Sequence, residues 1–587
     1  MSRGTRIFLL IALVAVIVLI VAGIVAARQA RGTVAQKTIL ELDLQKPFVE
    51  YAPESAVDRL LGRRIMTVRD IVDALDKAGN DDRVAGLVAR IPGSAGGMAQ
   101  AQEIRDAVLR FRAKKKFAIA FSETFGEFGP GNSGYYLATG FDKIYLQPTG
   151  AVGLNGIILE APFLKNTLSK MGLTFKGDHR YEYKDALETL TRTDWSAPAK
   201  EETQSILDSW FRELVQGISE GRHLAPADVT KLFNGGPYLA DEALKAKLVD
   251  GLEYRDQVYD GVEKQAGGDA HFLYLEKYLD RAGRPHRSGP KVALIYGVGG
   301  VARGNGGFDP LTGGSDMGSD TVSAAFRAAI DDPSVKAIIF RIDSPGGSAV
   351  ASDTIWRETV RAKKAGKPVI VTMGNLAGSG GYYIACAADK IVAQPGTITA
   401  SIGVLSGKFL TSGMWNKLGV TWDNVHVGDN ATMFTGTHDY TPQQWARLEA
   451  GLDQIYKDFT ARVAEGRHLP LDKVLEIAKG RIYSGEDAQK LGLVDDLGGF
   501  PEAIKLTKAA LHLPESGDID IRVFPRPKSL YDQFFGESTD NSESEGQAEA
   551  AAAMVRALRP VFLEMQRLGV LPQQRQPLSM PVVPAEP

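Results

Sequence analysis

The chain repeats itself, and the repeat limits what it can fold into. Residues 131–148, GNSGYYLATGFDKIYLQP, align without gaps on residues 378–395, GSGGYYIACAADKIVAQP, with 10 identities in 18 positions and an offset of 382 − 135 = 247. The run 81–91 is answered by 331–342. Glu220-Gly221-Arg222-His223-Leu224 recurs as Glu465-Gly466-Arg467-His468-Leu469, and Leu248-Val249-Asp250 as Leu493-Val494-Asp495, both at an offset of 245. A period of that length is a whole domain, far beyond the about 20–50 residues of a solenoid unit. The 587 residues also exceed the roughly 250–300 at which a single core stops growing. Two copies of one fold follow.

Within each copy, short apolar runs alternate with segments of helical spacing, the pattern of an α/β domain with crossover connections. Thr38–Leu44 and Lys291–Tyr296 read as corresponding first strands, and Val84–Ile91 as a buried strand entering the glycine-rich loop 92–97. The first domain spans 38–280, a basic Gly/Pro-rich stretch at 281–290 reads as a linker, and the second domain spans 291–527. From 528 to 587 the chain is acidic and Ser/Gly/Ala-rich, then Pro/Gln-rich, and is expected to be largely disordered, with one helical pattern at 554–568. At the other end Ile7–Ala27 is a run of 21 uncharged, almost wholly apolar residues between Arg3, Arg6 and Arg28, Arg31. It is long enough to cross a bilayer, which makes residues 1–6 a short cytoplasmic tail and 7–27 a transmembrane anchor.

Several classes of function fall away. Basic and acidic residues number 68 and 71, and no basic block invites nucleic acid. One cysteine, Cys386, forms no intrachain disulfide and no Cys-cluster zinc site, and no two of the eight histidines have H-x-x-x-H spacing. A phosphate-binding G-x-x-x-x-G-K-[ST] loop is also absent from the sequence. Neither a metal nor a cofactor is expected.

The two copies differ at a few positions that carry chemistry. Ser379 lies in Ala377-Gly378-Ser379-Gly380-Gly381, between a β-branched run and a helix-compatible one, and Asn132 stands opposite it. The same offset of 247 places His179 on His426 and Lys184 on Ala431. Each copy therefore lacks one partner of a serine–lysine pair, and the intact pair is Ser379 with Lys184. A serine hydroxyl needs a base, and a lysine serves as one when burial lowers its pKa toward neutrality. Tyr181, Tyr183, Ala186 and Leu187 are candidates for the walls around it. Ser401, opposite Leu154, is a candidate to orient the amine. The amides of Gly346, Gly347 and Gly380 are candidate oxyanion donors, although Gly-Gly after a buried strand is also a common turn.

The anchor, the tandem domains, Asp343-Ser344-Pro345-Gly346-Gly347-Ser348, the run from Met373 to Ala385 around Ser379, and Tyr183-Lys184 together resemble the long, duplicated form of the bacterial signal peptide peptidase A family, peptidase family S49. The resemblance covers roughly residues 1–525. It implies tandem Clp-protease/crotonase-like domains, Ser379 as nucleophile, Lys184 as general base, Ser401 as the residue orienting the lysine, and an oxyanion hole at Gly346 or Gly347 and Gly380. It further implies a homotetramer on the bacterial inner membrane, its body on the periplasmic side, acting on signal-peptide remnants and similar apolar peptides. A crotonase-fold acyl-transfer enzyme and a non-catalytic membrane scaffold are the rival readings, and the serine–lysine pairing speaks against the first.

Overall fold

The computed structural model describes residues 32–52, 65–307 and 316–525. The apolar run 7–27 and the tail from 528 lie outside the described residues, among which no helix is long and apolar enough to cross a membrane.

Each half is built on a parallel sheet. In the first, the strand order is Gly251–Leu252, Lys143–Leu146, Phe117–Ser122, Val84–Arg90, Thr38–Asp43 and His271–Tyr274. In the second, the equivalent strands are Asp496–Leu497, Lys390–Ala393, Val369–Gly378, Val335–Ser344, Lys291–Val298 and Asp520–Phe524. The path is the same, as the repeat requires. Val335–Ser344, VKAIIFRIDS, is buried along nearly its whole length, as befits a central parallel strand with apolar clusters on both faces. The second sheet gains two further strands, Ile398–Ala400 on Val369–Gly378 and Ile482–Ser484 antiparallel to it. In the first half their counterparts, Ala151–Val152 and Tyr238–Leu239, form a separate ladder.

Residues common to both copies hold the scaffold. Tyr135 and Tyr382 donate their hydroxyls to the carbonyls of Leu248 and Leu493 at 2.6 and 2.8 Å. Arg222 and Arg467 pair with Asp250 and Asp495 at 2.8 and 2.7 Å. His223 and His468 end two helices of 26 residues each, Ala197–Arg222 and Pro442–Arg467, in the left-handed conformation that closes a helix.

The halves are tied together at buried points. Arg341, fully enclosed in the second sheet, donates to Glu50 at 2.6 Å and Glu103 at 2.8 Å, both from the first half. Gly97 begins the helix Met98–Ala113 without a side-chain cap of its own; the Oδ1 of Asn375, four residues before Ser379, accepts from the Gln100 amide at 3.1 Å instead. The basic stretch at 281–290 is pinned down along its length: Arg284 bridges Asp70 and Asp73, and His286 meets Asp518 at 2.8 Å. Thr174–His179 of the first half pairs antiparallel with Leu405–Leu410 of the second.

Candidate active site

Ser379 ends the Val369–Gly378 strand and opens the Gly380–Ala385 helix. Its backbone has φ 53° and ψ −117°, a sharp strand-to-helix turn of the kind that holds a side chain clear of the chain. The Ser379 amide donates to the Ala400 carbonyl at 2.7 Å, and Gly378 pairs with Ala400. Ala400 and Ser401 are themselves left-handed, at φ 68° and 51°. Three non-glycine residues in sparsely populated conformations, each costing about 1–3 kcal/mol, meet at one place. The ladders on both sides hold them there.

Across from this turn lie the three glycines named as oxyanion candidates, Gly346, Gly347 and Gly380. Gly346 has φ +97°, and a Cβ on it would lie 2.5 Å from the Gly380 nitrogen and 2.8 Å from Ser379 Cβ. Only glycine fits. A Cβ on Gly380 would likewise lie 3.0 Å from the Gly347 nitrogen, so the backbones of Gly347 and Gly380 approach each other beside the serine. The Gly346 amide is engaged elsewhere, donating to Ser344 Oγ at 3.2 Å. Of the three glycines, Gly347 and Gly380 are therefore the available donors, and Gly346 allows them to approach.

Lys184 comes from the first half. The Thr174–His179/Leu405–Leu410 ladder lays its loop onto the second half; the Arg180 amide donates to the Val404 carbonyl at 2.9 Å and the Tyr183 amide to the Lys479 carbonyl at 3.2 Å. Lys184 itself is only 5% exposed. Its Nζ donates to Ser401 Oγ at 2.8 Å and to the Ser401 carbonyl at 3.0 Å, in the same chain. Burial lowers its pKa to about 8, against the opposing pull of the Asp185 and Glu202 carboxylates. The walls differ from those expected from sequence. Tyr181 is exposed and rests on Tyr456, and Tyr183 turns outward to Glu201. Leu187 is buried, and the lysine packs against backbone of the second half, with Gly403 against its Cδ and Gly480 against its main chain.

Two buried acids beside the lysine escaped notice in the sequence. Asp185 and Glu202 are 6% and 1% exposed and lie against each other. Internal comparison marks both, since Thr432 stands opposite Asp185 at the offset of 247 and Arg447 opposite Glu202 at 245. Cys386 is buried and its thiol pushed up to about 12 by desolvation, which leaves it chemically quiet. Among the described residues no cluster of His, Cys, Asp or Glu is arranged to hold a metal.

A glycine-lined turn presenting a serine, with a buried lysine nearby, is an arrangement suited to a serine hydrolase. Comparison with known proteins makes this specific. The model of peptidase family S49 matches twice, at residues 113–268 and 361–513. Protease 4 of Salmonella typhi is 32% identical over 74% of this chain and 70% of its own, and Protease 4 of Haemophilus influenzae 33% over 75% and 72%. The chloroplastic serine protease SPPA of Arabidopsis thaliana is 29% identical over 77% and 67%. A solved ClpP1 structure from Listeria monocytogenes overlaps 36% of this chain at 16% identity with a TM-score of 0.24, a likeness too weak to inform the fold. The chain is a serine peptidase and belongs to peptidase family S49, in the long form that carries the family's domain twice.

Proposed function

We propose that the protein is a membrane-anchored endopeptidase with a Ser379–Lys184 dyad, cleaving signal-peptide remnants and similar apolar peptides. The observation that carries this reading is the enclosure of Lys184 with two of its hydrogens committed to Ser401. An ammonium has three donors, whereas a neutral amine has two and a lone pair. With both donors occupied, the remaining corner of the neutral amine is an acceptor for the Ser379 hydroxyl. At a pKa of about 8, about a tenth of the lysine is free base at pH 7, roughly 300-fold more than at the ordinary value.

In the first step Lys184 Nζ takes the proton of Ser379 Oγ as that oxygen attacks the scissile carbonyl. The developing oxyanion is held by the Gly347 and Gly380 amides. The lysine then gives its proton to the departing amine, and the C–N bond breaks to leave an acyl-enzyme. Water, deprotonated by the same amine, releases the acid and restores Ser379. Ser401 keeps the lysine turned toward the serine throughout.

The run 7–27 supports placement on the bacterial inner membrane with the body on the periplasmic side, close to apolar peptides leaving the bilayer. Internal symmetry supports a ring of copies, for which a homotetramer is our reading. Leu405–Leu410 of the second half is paired with Thr174–His179 of the first, whereas their equivalents at the offset of 247, residues 158–163 and 421–426, are unpaired. Ile158, Trp422 and Val425 are exposed there. The same ladder formed between neighbouring copies would cover these side chains.

The test is hydrolysis of an apolar peptide by the full chain in detergent micelles, alongside labelling by a serine-directed phosphonate. Ser379→Ala is expected to abolish both, and Lys184→Ala to lower turnover by at least about a thousandfold with the fold intact. Turnover by either variant at the wild-type rate would overturn the dyad.

A further inference from the structure

Glu202 lies in the Ala197–Arg222 helix of the first half, yet its contacts belong to the second half's site. Its Oε2 accepts from the Ile482 amide at 3.0 Å. Ile482 pairs with Ala400, and the Ser401 amide donates to the neighbouring Arg481 carbonyl at 2.9 Å. The carboxylate thus grips the strand that supports Ser401. Its other oxygen, Oε1, is buried and no donor among the described residues reaches it. What lies beside Glu202 is the carboxyl of Asp185, the residue after Lys184. Two carboxylates in a dry site do not both ionise, and they hydrogen-bond to each other only over a proton.

We propose that Glu202 is a positioning residue for Lys184, acting as a neutral carboxylic acid that donates to the Asp185 carboxylate while accepting from Ile482. One side chain thereby clamps the lysine loop to the strand that carries Ser401. The inference rests on the dyad described above. Burial, and then the Asp185 charge, push the Glu202 acid upward further than Asp185 itself is pushed. The other ionisable groups facing the pair are Lys184 and Glu188 from the lysine loop and Arg481 and Tyr483 from the opposing strand. Arg481 is directed to Glu201, at 2.8 Å. With Glu202 neutral, Lys184 adjoins one negative charge; an ionised Glu202 would add a second, favour the ammonium and withdraw the base at neutral pH.

The experiment compares Glu202→Ala and Glu202→Gln in the full chain, reading kcat/KM for a peptide ester from pH 5.5 to 10, with Lys184→Ala as the reference. Glu202→Ala is expected to lose at least about tenfold in kcat/KM. Glutamine can still donate to Asp185 and accept from Ile482 without charge, so it should recover most of that loss and hold the acid limb of the profile within about 0.3 unit of wild type. A limb displaced downward by about one unit or more in Glu202→Gln would mean a charge had been removed, and would overturn the inference. Wild-type kcat/KM in a folded Glu202→Ala would overturn it too. Should the alanine variant fail to fold, the position of the glutamine limb decides alone. If Lys184→Ala turns over as wild type does, the dyad itself falls; if Lys184→Ala is inactive and the glutamine limb moves, only the role of Glu202 falls.

Discussion

A lysine held inside the protein should cost stability in a way that pH exposes. Lys184 is wholly enclosed, and its pKa of about 8 in the folded chain compares with 10.5 for a free lysine. The sign follows from proton counting. Between these values the unfolded chain holds the proton and the folded chain does not, so stability rises with pH across that window. Below pH 8 both forms are charged and the full penalty applies, about 3.5 kcal/mol at about 1.4 kcal/mol per unit. Lys184→Met removes the charge and keeps most of the volume, and is expected to be more stable than wild type at pH 7. The advantage should shrink by about 2 kcal/mol on moving from pH 7 to pH 9.5. Urea unfolding of both proteins at the two pH values checks this, because titrations common to both chains cancel in the difference. An advantage that stays constant with pH would refute the claim that the lysine is buried with a lowered pKa. It would also remove the basis for its proposed service as a base.

Three further outcomes are expected. Gly346→Ala would drive a methyl between the Gly380 nitrogen and Ser379 Cβ, and should reduce kcat by about 100- to 1,000-fold, measured by ester hydrolysis, with little change in circular dichroism. Arg341→Met would leave Glu50 and Glu103 buried without their cation and should destabilise the chain by about 3–5 kcal/mol, with partial recovery in the triple variant that also carries Glu50→Gln and Glu103→Gln; denaturant midpoints report both. Cys386, buried with its thiol pushed up to about 12, should ignore a disulfide-exchange reagent at pH 8 and react once urea unfolds the protein.

Much of the fold was legible because duplication supplies its own comparison. The shared motif at 131–148 and 378–395 marks corresponding turns, and the two sheets follow the same strand path. Reciprocal loss at Asn132 and Ala431 singled out Ser379 and Lys184, and the structure places Lys184 Nζ against Ser401. What stayed hidden are contacts between the halves. Asn375 capping a helix of the other copy, Arg341 receiving two carboxylates from it, and Glu202 gripping Ile482 leave no periodicity and no motif. Comparison of the halves can mark Glu202 as a position that differs, but none of the three shows its partner in the sequence. The tyrosines misled for a related reason: proximity in sequence to Lys184 suggested walls, but the space around it is filled by Gly403 and Gly480 from the second half.

The ladder joining Thr174–His179 to Leu405–Leu410 also bears on how the chain is made. Lys184 leaves the ribosome 195 residues ahead of Ser379, a lead of about 10–40 s at about 5–20 residues per second. Through that interval the nascent chain carries the proposed base and not the proposed nucleophile, and Leu405–Leu410, which seats the lysine's loop, has yet to arrive. We expect a peptidase built this way to be harmless until both halves are present. Phosphonate labelling of the second half expressed alone, absent until the first half is supplied in trans, would show that timing directly; labelling of the isolated half would refute it.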